Sequence, residues 1–238
     1  MKMIDIAVVG KDVSVANAYK NIEEAIKKAA SFKDVLVNVH YIDSHLVKED
    51  NVNILLKGYK GILIPGGFNY DGTEGMIRAI KYARENDIPF FGICLGMQLT
   101  VIEFARNVSG LKLATSSEFD KDSLCKVIDR LSGLKDKFLR EGVFTCSLKK
   151  DSLISNCYQS LLINETFKHG YNFNNKYREL LENNGLILSA YSNDNQYVEA
   201  VELKDHKFYL GVQFHPELSS PHKPHPLFIS FIEASLNS

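Results

Sequence analysis

The sequence predicts an α/β fold: a three-layer, doubly wound, mostly parallel sheet with a smaller antiparallel strand region. Three observations carry that expectation. Through residue 109, short apolar runs alternate with segments of helical period, the order that builds parallel strands joined by covering helices. After Ser109 the strand-like runs follow one another with fewer helices between them. Finally, the 238 residues, 45% of them hydrophobic, can bury one full core, and no repeat, low-complexity tract or linker divides them. One domain over residues 1–238 is expected.

Taken in order, residues 4–9 are an apolar run read as the first strand, followed by a helix over 16–31. On that helix Ile22, Ala25, Ile26 and Ala29 share one face, while Glu23, Glu24, Lys27 and Lys28 form opposite-charge pairs on a solvated one. Strands follow at 35–41 and 61–64. Met76, Ile77, Ile80 and Ala83 mark the buried face of a helix over 73–86, which leads to a strand at 89–93 and a helix over 95–107. In the second half, strands are read at 161–163, 185–191, 197–203 and 207–214, with helices at 174–183 and 226–236. Residues 121–150 carry no clear period.

Composition excludes several classes of function. A net charge of −1 leaves no basic footprint for nucleic acid and no pull toward an anionic membrane. No apolar run approaches the roughly 20 residues needed to span a bilayer, and the N-terminus enters a strand without a signal-peptide core. The four cysteines form no CxxC pair and have no zinc-like spacing, so free thiols and a cytoplasmic location are expected. The two histidines of the segment 219–225, His222 and His225, lie among prolines and read as surface polar structure in a turn; no metal and no cofactor are assigned.

The chemistry concentrates at Cys94. It ends an apolar strand and opens a helix within Gly92-Ile93-Cys94-Leu95-Gly96, a GxCxG turn in which the glycines make room for the chain to double back. A thiol at that corner faces the positive end of a helix, which favours the thiolate. The same residue also fits a buried structural cysteine. A base is supplied far along the chain: the run Gly211-Val212-Gln213-Phe214-His215-Pro216-Glu217 reads as a strand ending in a histidine. In extended chain Glu217 projects from the same face as His215 and can hold its tautomer. The other reading makes His215 a hydrogen-bonded core residue and Glu217 a surface one.

These stretches carry a resemblance. Pro65-Gly66-Gly67-Phe68, Gly92-Ile93-Cys94-Leu95-Gly96-Met97-Gln98 and Gln213-Phe214-His215-Pro216-Glu217 together resemble the class I glutamine amidotransferases, a flavodoxin-like fold. Gly66-Gly67-Phe68-Asn69-Tyr70-Asp71-Gly72-Thr73-Glu74-Gly75-Met76-Ile77, Tyr82-Ala83-Arg84-Glu85-Asn86-Asp87-Ile88-Pro89, Ser116-Ser117-Glu118-Phe119 and His225-Pro226-Leu227-Phe228 are similar to the glutaminase domain of CTP synthases.

The resemblance implies a Cys94, His215, Glu217 triad that hydrolyses glutamine through a glutamyl thioester. Backbone amides of Gly66, Gly67 and Leu95 would hold the oxyanion. Gly67, Phe68, Leu95, Gln98, Glu118 and Tyr171 would hold the substrate, Glu118 facing its α-ammonium. It also implies a role in pyrimidine biosynthesis, with ammonia passed to a nucleotide synthetase partner; the oligomeric state stays open.

The chain departs from these relatives in four places. Lys168-His169-Gly170-Tyr171 replaces an Arg-His-Arg-Tyr run, so the arginine expected at the substrate's α-carboxylate is a glycine. Asp71 stands where CTP synthases tend to carry an arginine, a reversal that argues against activation by GTP. The Gly-rich lid is not recognisable around residues 137–142, and no GxxxxGK[ST] phosphate loop is present, so the chain cannot make CTP alone. Two alternatives to glutamine hydrolysis follow: a catalytically weak regulatory or binding relative, and a stand-alone hydrolase of another γ-glutamyl amide.

Overall fold

Strands that are apolar at every position need cover on both faces, and that requirement organises the chain. The computed structural model describes residues 2–11, 13–15, 17–131, 139–219 and 223–238. In chain order the elements are β1 (Met3–Gly10), α1 (Lys20–Phe32), β2 (Leu36–Asp43), α2 (Val52–Leu55), β3 (Gly61–Ile64), α3 (Thr73–Glu85), β4 (Phe90–Ile93) and α4 (Leu95–Asn107). Then come β5 (Thr115–Ser116), β6 (Lys126–Arg130), β7 (Arg140–Leu148), α5 (Leu153–Tyr158), β8 (Leu162–His169), β9 (Tyr171–Phe173), α6 (Arg178–Asn183), β10 (Ile187–Ser192), β11 (Val198–Glu202), β12 (Tyr209–Val212) and α7 (Pro226–Leu236).

Among the described residues the strands form a nine-stranded sheet, ordered β2-β1-β3-β4-β12-β11-β10-β7-β8, and a small sheet of β5, β6 and β9. The first five strands of the large sheet are parallel, and from β12 outward every pair is antiparallel. Alternation within a strand divides two cores. In β1, Ala7 and Val9 join Met76, Ile80 and Leu99 of α3 and α4 on one face, while Ile6 and Val8 join Ile22 and Ile26 of α1 and Phe231 of α7 on the other. β3, β4 and β12 are buried throughout, so their C-terminal ends emerge together at the centre of the sheet. Chain order reverses beside β1, where α/β sheets open a crevice at strand ends.

The mostly parallel, doubly wound arrangement is the one expected, with differences at element ends. The first helix begins at Lys20 rather than at residue 16, because Asn17 takes a left-handed φ of 63° and its carbonyl closes a turn by accepting from the Lys20 amide at 3.2 Å; Ala16 lies outside the described residues. The helix expected over 174–183 splits into a 3-10 turn at Asn175–Tyr177 and α6. The strand expected at 161–163 runs on as β8 to His169, held by β7. The residues 121–150 contain β6 and β7, whose half-exposed positions hid their period. Lys137 and Phe138, compared above with a lid, lie outside the described residues.

The histidine segment also differs from expectation. His222 lies outside the described residues, and His225 is not surface polar structure. It is 9% exposed, caps α7 by accepting from the Leu227 amide, and sits with Nε2 3.0 Å from Glu165 Oε1. The carboxylate that pairs with it comes from β8, too far along the chain for local sequence to reveal. Among the described residues no helix is long and apolar enough to cross a membrane.

A buried ion pair fixes α3 against α4. Glu103, fully buried on α4, accepts from Arg84 Nε at 3.0 Å and from its Nη2 at 2.8 Å. Removing one partner strands the other in the interior. Glu103→Leu is therefore expected to lower unfolding free energy by about 3 kcal/mol, and adding Arg84→Leu to recover most of it. Chemical denaturation of the two variants and the wild type measures this.

Candidate active site

Cys94 is delivered by β4 to the first turn of α4 with φ 53° and ψ −101°, a backbone state few side chains adopt. Two glycines make the corner. A Cβ on Gly96 would lie 2.4 Å from the Ile64 carbonyl oxygen, and one on Gly92 would lie 2.8 Å from the Gly96 carbonyl carbon. The amide of Cys94 donates to Val212 O at 2.7 Å, binding the elbow to β12. The residue is 3% exposed, as a structural cysteine would be, yet its strained backbone and polar neighbours are those of an elbow.

β12 carries the chain toward the same point. His215 is anchored by its amide, which donates to Thr166 O at 2.8 Å, and its Nδ1 lies 2.7 Å from Glu217 Oε1. A carboxylate only accepts, so Nδ1 carries the proton and Nε2 is the nitrogen turned to other partners. Strand alternation is not what brings the pair together, as the sequence suggested. Pro216–Leu218 is a 3-10 turn that folds Glu217 back onto His215.

Nε2 has no hydrogen-bond partner among the described residues, and Glu217 Oε2 likewise has none. Burial by itself would depress the imidazole; the neighbouring Cys94 sulfur and the Glu217 carboxylate override it and raise the pKa to about 10. Gly66 lies between the two groups, since a Cβ there would be 2.9 Å from His215 Cε1 and 3.6 Å from Cys94 Cβ.

The turn after β3 borders this space. A Cβ on Gly67 would meet Leu95 Cδ2 at 3.2 Å, so the glycine turn and the start of α4 are in contact. First-turn amides of a helix have no partner within it, which leaves the Leu95 N–H available at the corner. Phe68, next in the turn, is 45% exposed, and its carbonyl accepts from Lys11 Nζ. The Asn69 amide donates to Glu118 Oε1 at 2.9 Å. Burial raises the pKa of Glu118, opposed by the Asn69 amide and by the charge of Lys11.

Lys11 was not singled out from the sequence. Its signal was its place, one residue past the end of β1 beside the reversal in strand order.

Of the other expected substrate residues, Gln98 is 4% exposed and its Nε2 donates to Tyr171 O at 3.0 Å. Tyr171 thus reaches the site through its carbonyl. Asp71 lies 2.9 Å from His45 Nε2, and Asp43 lies 2.7 Å from His45 Nδ1. Beside Gly170, Lys168 Nζ pairs with Glu141 at 3.5 Å. Arg140 reaches as far as His169 Nε2, at 3.4 Å, but is already bound to the buried Glu199 at 2.7 Å and packed over Phe144 and Phe167. Burial holds the imidazole of His169 down to about 3, so that ring is neutral.

Known proteins resemble this chain in sequence and fold. The sequence model of the family described as glutamine amidotransferase class-I matches residues 14–234. CTP synthase of Caldanaerobacter subterraneus is 47% identical over 240 residues, covering 98% of this chain and 45% of that protein. CTP synthase of Staphylococcus aureus is 47% identical over 239 residues, again 98% and 45% of the two. The chain thus spans about half the length of these relatives. The Trypanosoma brucei CTPS glutaminase domain with bound acivicin superposes with a TM-score of 0.92 at 34% identity, covering 99% of this chain and 94% of that one. A glutamine amidotransferase from Thermotoga maritima, at 14% identity and a TM-score of 0.57 over 98% of this chain and 96% of that one, is similar in fold.

The state of His215 has a measurable signature. Its folded pKa, about 10, lies above the ordinary 6.5, so the folded chain holds that proton more tightly than the unfolded chain. The resulting stabilisation is complete below pH 6.5 and disappears as pH rises through 10. His215→Gln is expected to be less stable than wild type, with the gap closing as pH rises between those limits; denaturant titrations at several pH values would show it. A gap that widens with pH contradicts the assignment.

Proposed function

We propose that this chain, which belongs to the class I glutamine amidotransferase family, hydrolyses glutamine to glutamate and ammonia as a single domain over residues 1–238. The observation that carries the reading is the convergence, on one strained elbow, of Cys94, the Gly66-Gly67 turn and a His215 oriented by Glu217 at 2.7 Å.

In this mechanism the Cys94 thiolate attacks the side-chain carbonyl carbon of glutamine. The carbonyl electron pair moves onto oxygen, where amides of Gly67 and Leu95 receive it. His215 donates its proton to the departing nitrogen, and the C–N bond breaks to leave ammonia and a glutamyl thioester. Neutral His215 then takes a proton from water, whose oxygen attacks the thioester; collapse returns the thiolate and releases glutamate. Glu217 keeps the imidazole aligned and balances its charge in both halves. Glu118 faces the α-ammonium of the substrate, and Phe68, Gln98 and Tyr171 line its seat.

The relatives named CTP synthase support a further step. In it the ammonia passes to a nucleotide synthetase, supplied by a partner chain or by a segment beyond this sequence, for pyrimidine nucleotide synthesis in the cytoplasm.

Gly170 favours one second reading, hydrolysis of another γ-glutamyl amide. No arginine occupies the place the relatives give one, and Arg140 is engaged by Glu199. Both readings are tested by glutamate release from glutamine and from a panel of γ-glutamyl amides. Cys94→Ala is expected to lower turnover at least about 10³-fold. Gly170→Arg is expected to lower KM for glutamine about tenfold, the worth of one charge-assisted contact. Unchanged turnover in Cys94→Ala contradicts the mechanism, and a better substrate than glutamine among the panel favours the second reading.

A further inference from the structure

We propose that Gln213 is a further catalytic residue, whose buried side-chain amide donates a hydrogen bond to the Cys94 sulfur and favours its anionic form. The inference rests on the reading of Cys94 as nucleophile. Gln213 is fully buried just beyond β12, and its backbone amide donates to Glu199 O at 2.9 Å. Its Nε2 lies 3.6 Å from Cys94 Sγ, a normal separation for a donor to sulfur.

The direction of that amide follows from its neighbours. A backbone carbonyl only accepts, so Tyr171 O, 3.0 Å from the Gln98 side chain, requires Gln98 to present its NH2 group. The second hydrogen of that group points to Gln213 at 3.3 Å, which must therefore present its oxygen. With oxygen committed to Gln98, the NH2 of Gln213 is left facing sulfur. One peptide carbonyl on β9 thus fixes two amides in series and aims the last at Cys94. Gln98 is tied to the same corner by its own backbone, which donates to Cys94 O at 3.2 Å.

The chemistry gives that orientation a purpose. The Lys168 carbonyl, 3.9 Å from the sulfur, is an acceptor that suits a protonated thiol and offers nothing to a thiolate. Across the site, His215 supplies positive charge to the thiolate, but its proton must leave with ammonia during turnover. Gln213 does not titrate, so its N–H remains with sulfur while the imidazole proton is away. A hydrogen bond to an ionised acceptor is about twice as strong as a neutral one, and favours thiolate over thiol. An amide buried only to fill space would have no such preference.

The test reads the sulfur directly. The full chain is reacted with iodoacetamide across a pH series, and carbamidomethylation of the Cys94 peptide is followed by mass spectrometry. Gln213→Met, near in volume and without a donor, is expected to move the midpoint of the rate profile up by about one pH unit. At pH values below the midpoint, alkylation is then about tenfold slower than in wild type, and glutamate release falls by a similar factor. Gln98→Met, which frees Gln213 to turn, is expected to shift the midpoint the same way by a smaller amount.

A folded Gln213→Met with an unmoved midpoint overturns the proposal, whatever its melting temperature. Should that variant fail to fold, the wild type decides. The Gln213 side-chain NH2 resonances of the ¹⁵N-labelled chain are expected to move as Cys94 titrates and again when it is alkylated; resonances that stay fixed overturn the proposal. If wild-type Cys94 is alkylated no faster than Cys125 or Cys157 and no turnover is seen, the nucleophile reading fails and this inference falls with it. A reactive Cys94 with an unmoved midpoint sinks only the role of Gln213.

Discussion

The backbone of Cys94, at φ 53° and ψ −101°, is the constraint on which the rest of the structure depends. A residue held there costs about 1–3 kcal/mol and persists only where its surroundings overdetermine it. The surroundings here are the parallel centre of the sheet. β4 lies between β3 and β12, each buried at every position, and the Cys94 amide is captured by Val212. α4 can lie against β3 closely enough to form the corner only because Gly96 has no side chain to strike Ile64. Packing in the core thus sets the direction of a single sulfur atom at the C-terminal end of a central strand.

Around that point the chain places groups by their ability to give or take protons. Glu217, folded back by a 3-10 turn, settles the tautomer of His215; Gly66 keeps side-chain bulk out of the gap between His215 and Cys94. The β7–β8 ladder supplies a second layer. There Arg140 is neutralised by Glu199 and covered by aromatic rings, beside a His169 kept uncharged by burial. The imidazole of His215, which burial by itself would depress, is raised by its sulfur and its carboxylate. Outside, Lys11 and Glu118 fasten the Phe68-Asn69 turn from two sides, so the loop after β3 is tied to β1 and to the segment after β5.

Much of this was legible in the residue order, for reasons that differ from element to element. The parallel strands could be read because burial on both faces leaves uninterrupted apolar runs, and the elbow because only glycines permit it. Long motifs made the pairing of Cys94 with His215 readable although 121 positions separate them in the sequence. β6 and β7 were not readable, since strands with half-exposed faces carry a diluted period. The pairing of His225 with Glu165, and the ties made by Lys11, are tertiary and have no local mark. Glu217 was correctly matched to His215 for the wrong geometric reason, because a proline-led turn and an extended strand can bring the same two residues together.

Cys94 forming a covalent bond to its substrate, with help from His215, is the central claim. Mass spectrometry of the full chain, acid-quenched within its first turnovers on glutamine, tests this most directly. A γ-glutamyl adduct is expected on the peptide containing Cys94 and on no other cysteine, with the adduct lost in Cys94→Ala. Glutamate released at full rate with no adduct on Cys94, or an adduct carried by Cys125, Cys146 or Cys157 instead, would contradict it.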